Sequence, residues 1–289
     1  MFDVSIIIIN YNTLKMTNEC ICSVIEQTSG ISYEIILVDN ASTDGSKEFF
    51  SNDSRVKYIY SQENLGFGQG NNLGIAQAKG QYIFLLNSDT LLTNNAVGMF
   101  MDYEKSHNGN LILGCMMRDR EGRFTSSFGD FPRTARILSS VIKSYFKPGF
   151  EFPVSEGQEL DVEMIVGADM FIPREAFETT GCFDNAFFMY YEETDLQKRM
   201  ADRGFIRRII PGPGIIHFGG CSDTTPQKAS RQRYNLTKSL FIYQKKHLSK
   251  VKYILFRIAY SAIRTLPSAI KKEDKKIKTE YLRLLYSKI

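Results

Sequence analysis

The sequence predicts an α/β fold with a mainly parallel central sheet, and three observations support this prediction. Residues 82–86 are all apolar or aromatic and stop at Asn87, Ser88 and Asp89, which is typical of a strand buried on both faces. Two earlier apolar runs also end abruptly in polar residues. Because helical patterns alternate with these strands, the predicted architecture is a right-handed, doubly wound sheet.

The N-terminal half alternates regularly between strands and helices. Its predicted elements are a strand at 4–9, a helix at 14–27, strands at 34–38 and 56–60, a helix reaching 78 and a strand at 82–86. Segment 39–45 is rich in residues that cap helices. Segment 64–72 is rich in glycine and asparagine. Each predicted strand of this half is therefore followed by a polar or glycine-rich segment.

The second half is less regular. Its predicted elements are a strand at 111–117, a loop-rich stretch at 124–152, a strand leading from 162–166 into 167–172, a helix from 192 to about 203, strands at 206–210 and 214–218, and helices from 230 onward. The loop prediction rests on Pro132, Pro148 and Pro153.

Composition and charge indicate a globular protein with a distinct C-terminal region. The 289 residues, 43% of them hydrophobic and 24% charged, suffice for one large α/β domain and an appendage. We predict a domain at 1–222 and a helical, basic, amphipathic region at 223–289. No segment is typical of a signal peptide or a membrane span. The cysteines are odd in number and scattered, which favours reduced thiols in the cytoplasm. They are Cys20, Cys22, Cys115, Cys182 and Cys221.

The basic C-terminal region indicates an anionic partner. Residues 250–289 contain 11 Lys and Arg against 3 Asp and Glu, and Lys250, Arg257, Arg264 and Lys271 recur every seven residues among apolar ones. This pattern favours a helix on an anionic membrane surface, with basic side chains reaching the headgroups, and hence a cytoplasmic protein peripheral on the inner face of the membrane. A helix packed on the main domain or on a second copy in a homodimer is an equal alternative. Nucleic acid is disfavoured because apolar residues separate the charges.

Polar clusters follow the predicted strands, at 10–12, 39–40, 64–72 and 87–89. Ligands bind doubly wound sheets at the carboxyl ends of the strands, so we expect these clusters to share one edge. Carboxylates and amides can read a base and a ribose, and glycine-rich backbone lets a ligand approach closely. The clusters therefore predict a nucleotide site.

Several segments resemble the inverting family 2 glycosyltransferases, in the family's order: 5–12, 36–45, 64–72, 82–89, 167–172, 181–184, 188–196 and 216–220. The resemblance covers roughly residues 3–222 and is closest to the rhamnosyltransferase-like branch that builds bacterial surface polysaccharide. It implies a GT-A-type fold. It also implies metal-dependent transfer of a sugar, with inversion, from a nucleotide-diphosphate donor to a hydroxyl of a glycan acceptor. A lipid-linked acceptor would explain a membrane-seeking tail.

The resemblance also implies which residues hold a UDP- or dTDP-linked donor. They are Asn10, Tyr11, Asn12, Asp39, Asn40, Asn64, Gly66, Phe67, Asn71, Asn87 and Ser88. Asp39 would contact the base or ribose. Segment 87–89 stands where the family has an Asp-x-Asp metal motif, but Asn87 replaces the first carboxylate. Asp89, helped by His217, would then bind the metal, and hard oxygen ligands with a diphosphate suit Mg²⁺ or Mn²⁺ rather than zinc.

A general base is needed because the acceptor hydroxyl is a poor nucleophile until a carboxylate accepts its proton. The resemblance places this base at Glu193, where the family has the second acid of a Glu-Asp pair. Because Glu stands here for Asp, Glu192 and Asp195 remain alternatives, and all three also fit simple first-turn helix acids. Asp169 is the predicted acceptor-binding residue.

Two other functions stay open. A catalytically silent nucleotide-sugar or carbohydrate-binding module would keep the fold without turnover, and the departures at Asn87 and Glu193 favour it. Segment 66–70 could also belong to the dinucleotide-binding fingerprint of an oxidoreductase. That interpretation is weak because the Gly-x-Gly-x-x-Gly spacing is not met.

Overall fold

The computed structural model describes residues 2–107, 109–143, 157–219, 226–270 and 275–287. The chain divides into two compact units. The first comprises Met1–Asp130, Val154–Phe188 and Glu192–Gly219, and the second comprises Phe131–Pro153, Met189–Tyr191 and Gly220–Ile289. The predicted boundary after residue 222 lies outside the described residues, so the division into 1–222 and 223–289 stays a prediction.

The strands within the described residues all belong to the first unit. They are β1 Val4–Asn10, β2 Tyr33–Asp39, β3 Lys57–Tyr60, β4 Tyr82–Asn87, β5 Thr90–Leu92, β6 Leu111–Cys115, β7 Phe128–Gly129, β8 Leu160–Val162, β9 Met164–Ile165, β10 Asp169–Pro173, β11 Ile206–Ile210 and β12 Ile215–His217. The helices are α1 Leu14–Gln27, α2 Ser46–Phe50, α3 Gly66–Gln77, α4 Ala96–Ser106, α5 Thr134–Lys143, α6 Arg174–Thr180, α7 Glu192–Ala201, α8 Pro226–His247, α9 Lys250–Ile270 and α10 Lys275–Tyr286.

Eight strands form one sheet in the order β3-β2-β1-β4-β10-β6-β11-β8. The pairs β1–β2, β2–β3, β1–β4 and β6–β11 are parallel. Strand β10 is antiparallel to β4 and β6, and β8 is antiparallel to β11. The predicted mainly parallel α/β sheet is therefore confirmed.

Burial on both faces explains the unbroken apolar runs. In β1, Ile6 and Ile8 pack into one core cluster with residues of α1 and α4. Ile7, between them, packs into a second cluster with residues of α3, α6 and α7. Since successive side chains of a strand point to opposite faces, a strand covered by helices on both sides must be apolar throughout.

The strand register brings the polar segments to one edge. Asn10 is aligned with Asp39 across β1–β2, and Ile9 is aligned with Asn87 across β1–β4. Three parallel strands therefore reach their carboxyl ends at nearly the same level. This edge carries the candidate site.

The loop-rich prediction for 124–152 is wrong over Thr134–Lys143, where the chain forms α5. Proline disrupts a helix when it lies inside one, but Pro132 comes before the first residue of α5 and breaks nothing. Pro148 and Pro153 lie outside the described residues. The loop prediction is therefore based on the number of prolines and does not consider that a helix could begin after Pro132.

The helical prediction for the C-terminal region is confirmed over the described parts of α8, α9 and α10. Their core is a cluster of buried side chains, mostly aromatic: Leu240, Phe241, Tyr253, Phe256, Tyr260, Tyr281 and Leu285. No helix among the described residues is long and apolar enough to cross a bilayer.

The expectation that the basic side chains of α9 reach the headgroups is wrong at Arg257, which is buried. Arg257 is only 5% exposed, and its guanidinium donates to the Leu284 and Leu285 carbonyl oxygens at 3.1 and 3.3 Å. The guanidinium carbon also lies 4.0 Å from the centroid of the Phe241 ring. Arg257 is thus an interior residue that binds the last turn of α10. Lys271 lies outside the described residues.

The cysteines within the described residues are free thiols. Cys20 and Cys115 are buried, whereas Cys22 and Cys182 are half-buried. Burial raises the pKa of the Cys20 thiol to about 12, so this thiol is protonated at neutral pH. Cys221 lies outside the described residues.

Candidate active site

Polar segments after β1, β2 and β4 are joined by one hydrogen-bond network. The Asn10 Oδ1 atom accepts from the Thr13 hydroxyl at 2.8 Å, and Asn10 Nδ2 donates to the Ser42 hydroxyl oxygen at 3.2 Å. The hydroxyl oxygens of Thr13 and Ser88 are 3.1 Å apart. The structure therefore brings three of the predicted clusters together, with Asn10 buried between them.

Asp39 is fully buried and bound by groups of the protein itself. Its Oδ1 accepts from the Ser42 backbone N–H at 2.9 Å, and its Oδ2 accepts from the Tyr58 hydroxyl at 2.7 Å. Burial and this carboxylate raise the pKa of the Tyr58 hydroxyl well above its ordinary value, so it remains a donor. The predicted contact between Asp39 and a base or ribose stays a prediction.

The loops that follow β1 and β2, which form the rim of this edge of the sheet, contain residues with strained backbone. Asn12 has φ 56° and Ala41 has φ 65°, a region that non-glycine residues rarely occupy. The strained Asn12 is held by its side chain, whose Oδ1 accepts from the Thr43 N–H at 2.7 Å. The neighbouring Tyr11 ring is exposed. Strained residues of this kind cluster at ligand-binding sites, which agrees with the predicted donor-binding role of segment 10–12.

The glycine-rich segment is attached to the same edge by Asn40. The Asn40 amide donates to the Gly66 carbonyl oxygen at 2.8 Å and accepts from the Leu65 N–H at 3.2 Å. Asn64 Oδ1 accepts from the Gly66 N–H at 2.9 Å. Asn71, in contrast, is buried and donates to the Phe67 carbonyl oxygen one turn earlier in α3, so its side chain is used within the helix.

The two predicted metal ligands, Asp89 and His217, lie next to each other. The Asp89 Oδ1 and His217 Nε2 atoms are 3.3 Å apart, and the side chains are 20% and 15% exposed. Their backbones are held together by strands β5 and β12, and the Phe218 N–H donates to the Asp89 carbonyl oxygen at 2.9 Å. Neither side chain is sealed from solvent, so both remain accessible to a cation.

No group of three His, Cys, Asp or Glu side chains within the described ranges is arranged to hold a metal ion. Asp89 and His217 nevertheless fit a cation that is completed by substrate. Mg²⁺ is usually bound by one or two protein ligands together with phosphate oxygens and water. Asn87, whose backbone N–H donates to the Ala168 carbonyl oxygen at 3.0 Å, offers an amide oxygen where the family has a carboxylate.

Asp169 lies in the interior of the sheet. It is fully buried in β10, and its Oδ2 accepts from the Cys115 N–H at 2.7 Å. Its Oδ1 is buried with no hydrogen-bond partner among the described residues. Burial raises the pKa of the Asp169 carboxyl to about 7. The predicted acceptor contact stays a prediction.

The three acids of the first turn of α7 have different surroundings. Asp195 is fully buried and ion-paired with Arg199, whose Nε is 3.0 Å from the Asp195 Oδ2. The Arg199 guanidinium also donates to the Thr180 and Cys182 carbonyl oxygens at 2.6 and 2.7 Å. Asp195 and Arg199 therefore attach α7 to the end of α6 and the residues just after it, and the alternative assignment of Asp195 as the base stays a prediction.

Glu193, the predicted general base, has one carboxyl oxygen shielded from solvent. Its Oε2 is buried and has no hydrogen-bond partner among the described residues, and burial raises the pKa of the carboxyl. A Cβ atom placed on Gly167 would lie 3.1 Å from the Phe67 ring and 3.7 Å from the Glu193 Cβ. Since Ala168, the next residue, pairs with Asn87, Glu193 lies beside the same edge. Glu192 is also buried.

The sequence pattern of glycosyl transferase family 2 matches residues 5–180, more than half of the chain. The chain belongs to glycosyltransferase family 2. The resemblance seen in the sequence is confirmed, and the eight-stranded, mostly parallel sheet is consistent with the GT-A-type fold expected of this family.

Individual known proteins are moderately similar to this chain. Glycosyltransferase GlyG of Streptococcus pneumoniae is 33% identical over 115 residues, 38% of each chain. The N-acetylglucosaminyl-diphospho-decaprenol L-rhamnosyltransferase of Mycobacterium tuberculosis is 24% identical over 201 residues, 63% of this chain and 66% of its own. Rhamnosyltransferase WbbL of Escherichia coli K12 is 25% identical over 197 residues, 64% of this chain and 73% of its own. The match thus covers less than two thirds of the length of GlyG and of the mycobacterial rhamnosyltransferase.

Sequence reasoning missed several residues that build this family 2 site. Thr13, Ser42 and Tyr58 complete the hydrogen bonds of Asn10 and Asp39. Ser42 lies within a segment already noted for capping residues, which could have identified it. Nothing local in the sequence marks Tyr58, because its partner is 19 positions away and is reached only through the pairing of β2 with β3.

A cavity of about 260 Å³ lies at the carboxyl ends of β6 and β11 and contains none of the predicted site residues. Its wall includes Met116, Arg118 and Phe124. The Arg118 carbonyl oxygen accepts from the His217 N–H at 2.8 Å, so this cavity adjoins the Asp89–His217 pair through the backbone.

Proposed function

We propose that this chain transfers a sugar, with inversion, from a nucleotide-diphosphate donor to a hydroxyl of a glycan acceptor in bacterial surface polysaccharide synthesis. Membership of family 2 supports glycosyl transfer in general. Two relatives are named as rhamnosyltransferases, which favours a deoxyhexose or hexose donor. The observation that carries the proposal is the meeting of three polar strand ends beside a buried, unpartnered Glu193 oxygen.

The donor, a UDP- or dTDP-linked sugar in this proposal, would lie along the edge formed by segments 10–12, 39–42 and 64–67. The side chains of Asn10, Asp39 and Asn40 are used to fix these segments. Recognition of the nucleotide would then fall to the strained rim at Asn12, the exposed Tyr11 ring and the backbone beside Gly66. Fixed loops bind a ligand at a lower entropic cost than mobile ones.

The cation, Mg²⁺ or Mn²⁺ in this proposal, would be held by Asp89 and His217. When bound, such a cation stabilises the negative charge that grows on the leaving diphosphate. The protein contribution is to keep a carboxylate and an imidazole side by side on β5 and β12.

Glu193 would accept the proton of the acceptor hydroxyl. A carboxyl with an ordinary pKa is a weak base at neutral pH, and raising its pKa towards the working pH makes proton transfer more effective. Burial and the absence of a hydrogen-bond partner for Oε2 act in that direction. Asp195 is less suited to this role because its carboxylate is paired with Arg199.

The acceptor in this proposal is lipid-linked, and residues 250–289 hold the protein against the inner face of the membrane. The mycobacterial relative is named for an acceptor of that kind, a decaprenol diphosphate derivative. The net positive charge of residues 250–289 supports attraction to anionic lipid. A homodimer formed through the same region is the alternative.

Comparison of Glu193→Gln with Glu175→Gln tests the proposed base. Both variants remove a first-turn helix acid, but Glu175 is exposed on α6. We expect Glu193→Gln to bind UDP- or dTDP-sugars with Mn²⁺ as the parent does, measured by thermal shift. We expect its turnover to fall by about a hundredfold or more, and Glu175→Gln to stay active. Turnover by Glu193→Gln at the parent rate would contradict the assignment. Donor binding by the parent without turnover would favour the silent binding module, for which Asn87 is the supporting departure.

A further inference from the structure

Helix α9 has an apolar face that the described residues of the second unit leave exposed. Val251, Leu255 and Ile258 are 67%, 63% and 58% exposed, and Ala262 is also exposed. Their spacing of four, three and four residues puts them on one side of the helix. Single exposed apolar residues are ordinary, but a continuous row on one helix face marks an interaction surface.

The opposite face of α9 is already fully used within its own unit. Tyr253, Phe256 and Tyr260 are buried in the aromatic core, and Arg257 is bound to the last turn of α10. Ser261 donates to the Leu285 carbonyl oxygen at 2.8 Å. The helix is therefore anchored in a fixed rotation, and its exposed apolar row is not a core face awaiting burial inside the unit.

The groove beside this row suits an interface between water and lipid. A cavity of about 360 Å³ is lined by Ile258, Ala262, Leu285 and Tyr286. The Tyr286 ring is exposed, and its hydroxyl oxygen lies 2.6 Å from the Thr265 Oγ1. Tyrosines combine an apolar ring with a polar tip and are enriched where membrane meets water.

Positive charge decides between a bilayer and a second copy of the chain. Lys245, Lys250 and Lys252 are exposed at the start of α9 and the end of α8, and residues 250–289 carry a net charge of +8. Two copies meeting through this face would bring like charges together, which opposes association. An anionic phospholipid surface offers the opposite charge together with an apolar interior.

We infer that Val251, Leu255 and Ile258 of α9 insert into the interfacial layer of an anionic phospholipid bilayer, with Lys250 and Lys252, on either side of Val251 in the chain, at the headgroups. This assigns the membrane contact to the apolar face of α9, whereas Arg257 points away from it into the unit. The inference rests on the proposed function only for its purpose, which is to bring the enzyme to a lipid-linked acceptor.

The chain contains no tryptophan, so one introduced indole reports its own surroundings. We expect the fluorescence of Leu255→Trp to shift to shorter wavelength on addition of vesicles made of about three parts phosphatidylcholine to one part phosphatidylglycerol. Ile25→Trp, at an exposed position on α1, is the matched control and should not shift. Equal spectra of Leu255→Trp with and without vesicles would overturn the inference.

Co-sedimentation with the same vesicles measures the contribution of the face. We expect Leu255→Gln/Ile258→Gln to bind at least tenfold more weakly than the parent, and Ile25→Gln/Ile206→Gln, which removes two exposed isoleucines elsewhere, to bind as the parent does. Lys250→Gln/Lys252→Gln should lose binding to anionic vesicles in proportion to the charge removed. Parent-like binding by the Leu255→Gln/Ile258→Gln variant, or no binding by the parent, would overturn the inference.

Two further measurements separate this inference from its alternatives. A dimer found by sedimentation velocity in the parent, and lost in Leu255→Gln/Ile258→Gln, would assign the face to a second copy and overturn the bilayer assignment. Donor hydrolysis in solution should be equal in that variant and the parent. Vesicle binding that persists while all turnover is absent would leave the surface intact and reject the proposed function alone.

Discussion

Gly66 provides the sharpest test of how the donor-side loop is held. Its φ is +78°, and a Cβ atom at this position would lie 1.8 Å from the Phe188 carbonyl oxygen. The adjacent Phe67 N–H donates to that same oxygen at 3.3 Å. Gly66→Ala therefore combines a strained backbone with a collision against the Phe188 carbonyl. Phe188 lies five residues before Glu193 in the chain.

The two costs can be separated by magnitude. An alanine in the left-handed region costs about 1–2 kcal/mol. To restore an ordinary C···O contact of about 3.3 Å, the Phe188 carbonyl must retreat by about 1.5 Å, and overpacking of this kind costs about 1–3 kcal/mol more. Misplacement of catalytic groups by about 1 Å can lower a rate about a hundredfold. We therefore expect Gly66→Ala to lose about 2–5 kcal/mol of unfolding free energy and about a hundredfold in kcat.

Gly30→Ala is the matched control, because Gly30 has φ +75° but no atom within 4 Å of its added Cβ. It should lose only about 1–2 kcal/mol and keep the parent kcat. Urea unfolding measures the stability of both variants, and donor turnover at saturating substrate measures kcat. If both variants lose equal stability and keep equal kcat, the contact between Gly66 and Phe188 does not position the site.

Two further variants test buried charged groups. Because burial raises the pKa of Asp169 to about 7, the neutral form stabilises the folded state below the ordinary value of 3.8, and this contribution is lost as the pH rises through 7. In chelator-containing buffer, the stability of Asp169→Asn relative to the parent should therefore rise with pH between about 3.8 and 7, by at most about 4 kcal/mol, and a pH-independent difference would contradict the raised pKa. Arg257→Met should cost about 1.5–3 kcal/mol in urea unfolding because the carbonyls at the end of α10 lose a charged donor, whereas Lys252→Met, at an exposed position, should cost less than about 0.5 kcal/mol. Equal losses would place Arg257 at the surface.

The central sheet was predictable because its signal is local. Residues 4–9, 34–38 and 82–86 are apolar on both faces, and that pattern requires helices on both sides of a sheet. The polar residues that stop each run mark the carboxyl ends of the strands, so the edge carrying the site could be predicted with them. The antiparallel placement of β10 between β4 and β6 could not, because strand order depends on long-range pairing.

The roles of individual polar residues were less predictable than their positions. Asp39 and Asp195 are both buried acids near the expected site, but one accepts from Ser42 and Tyr58 while the other pairs with Arg199. The Tyr58 contact depends on how β2 pairs with β3. Arg199, although only four residues from Asp195, also depends on carbonyl oxygens 17 to 19 positions away. Sequence spacing therefore cannot show which carboxylates are bound by other groups of the protein and which remain available to a ligand.

The predicted site residues divide by what their polar atoms already bind. Asn10, Asp39 and Asn40 have their side-chain atoms occupied by neighbouring segments, so their first effect is to fix the loops. Asp89 and His217 remain partly exposed, and the Glu193 Oε2 has no hydrogen-bond partner among the described residues. Loss of turnover in variants of the first group therefore reports loop structure as much as donor contact, and only unfolding measurements can separate the two. Loss of turnover with unchanged stability is evidence for chemistry chiefly at the second group.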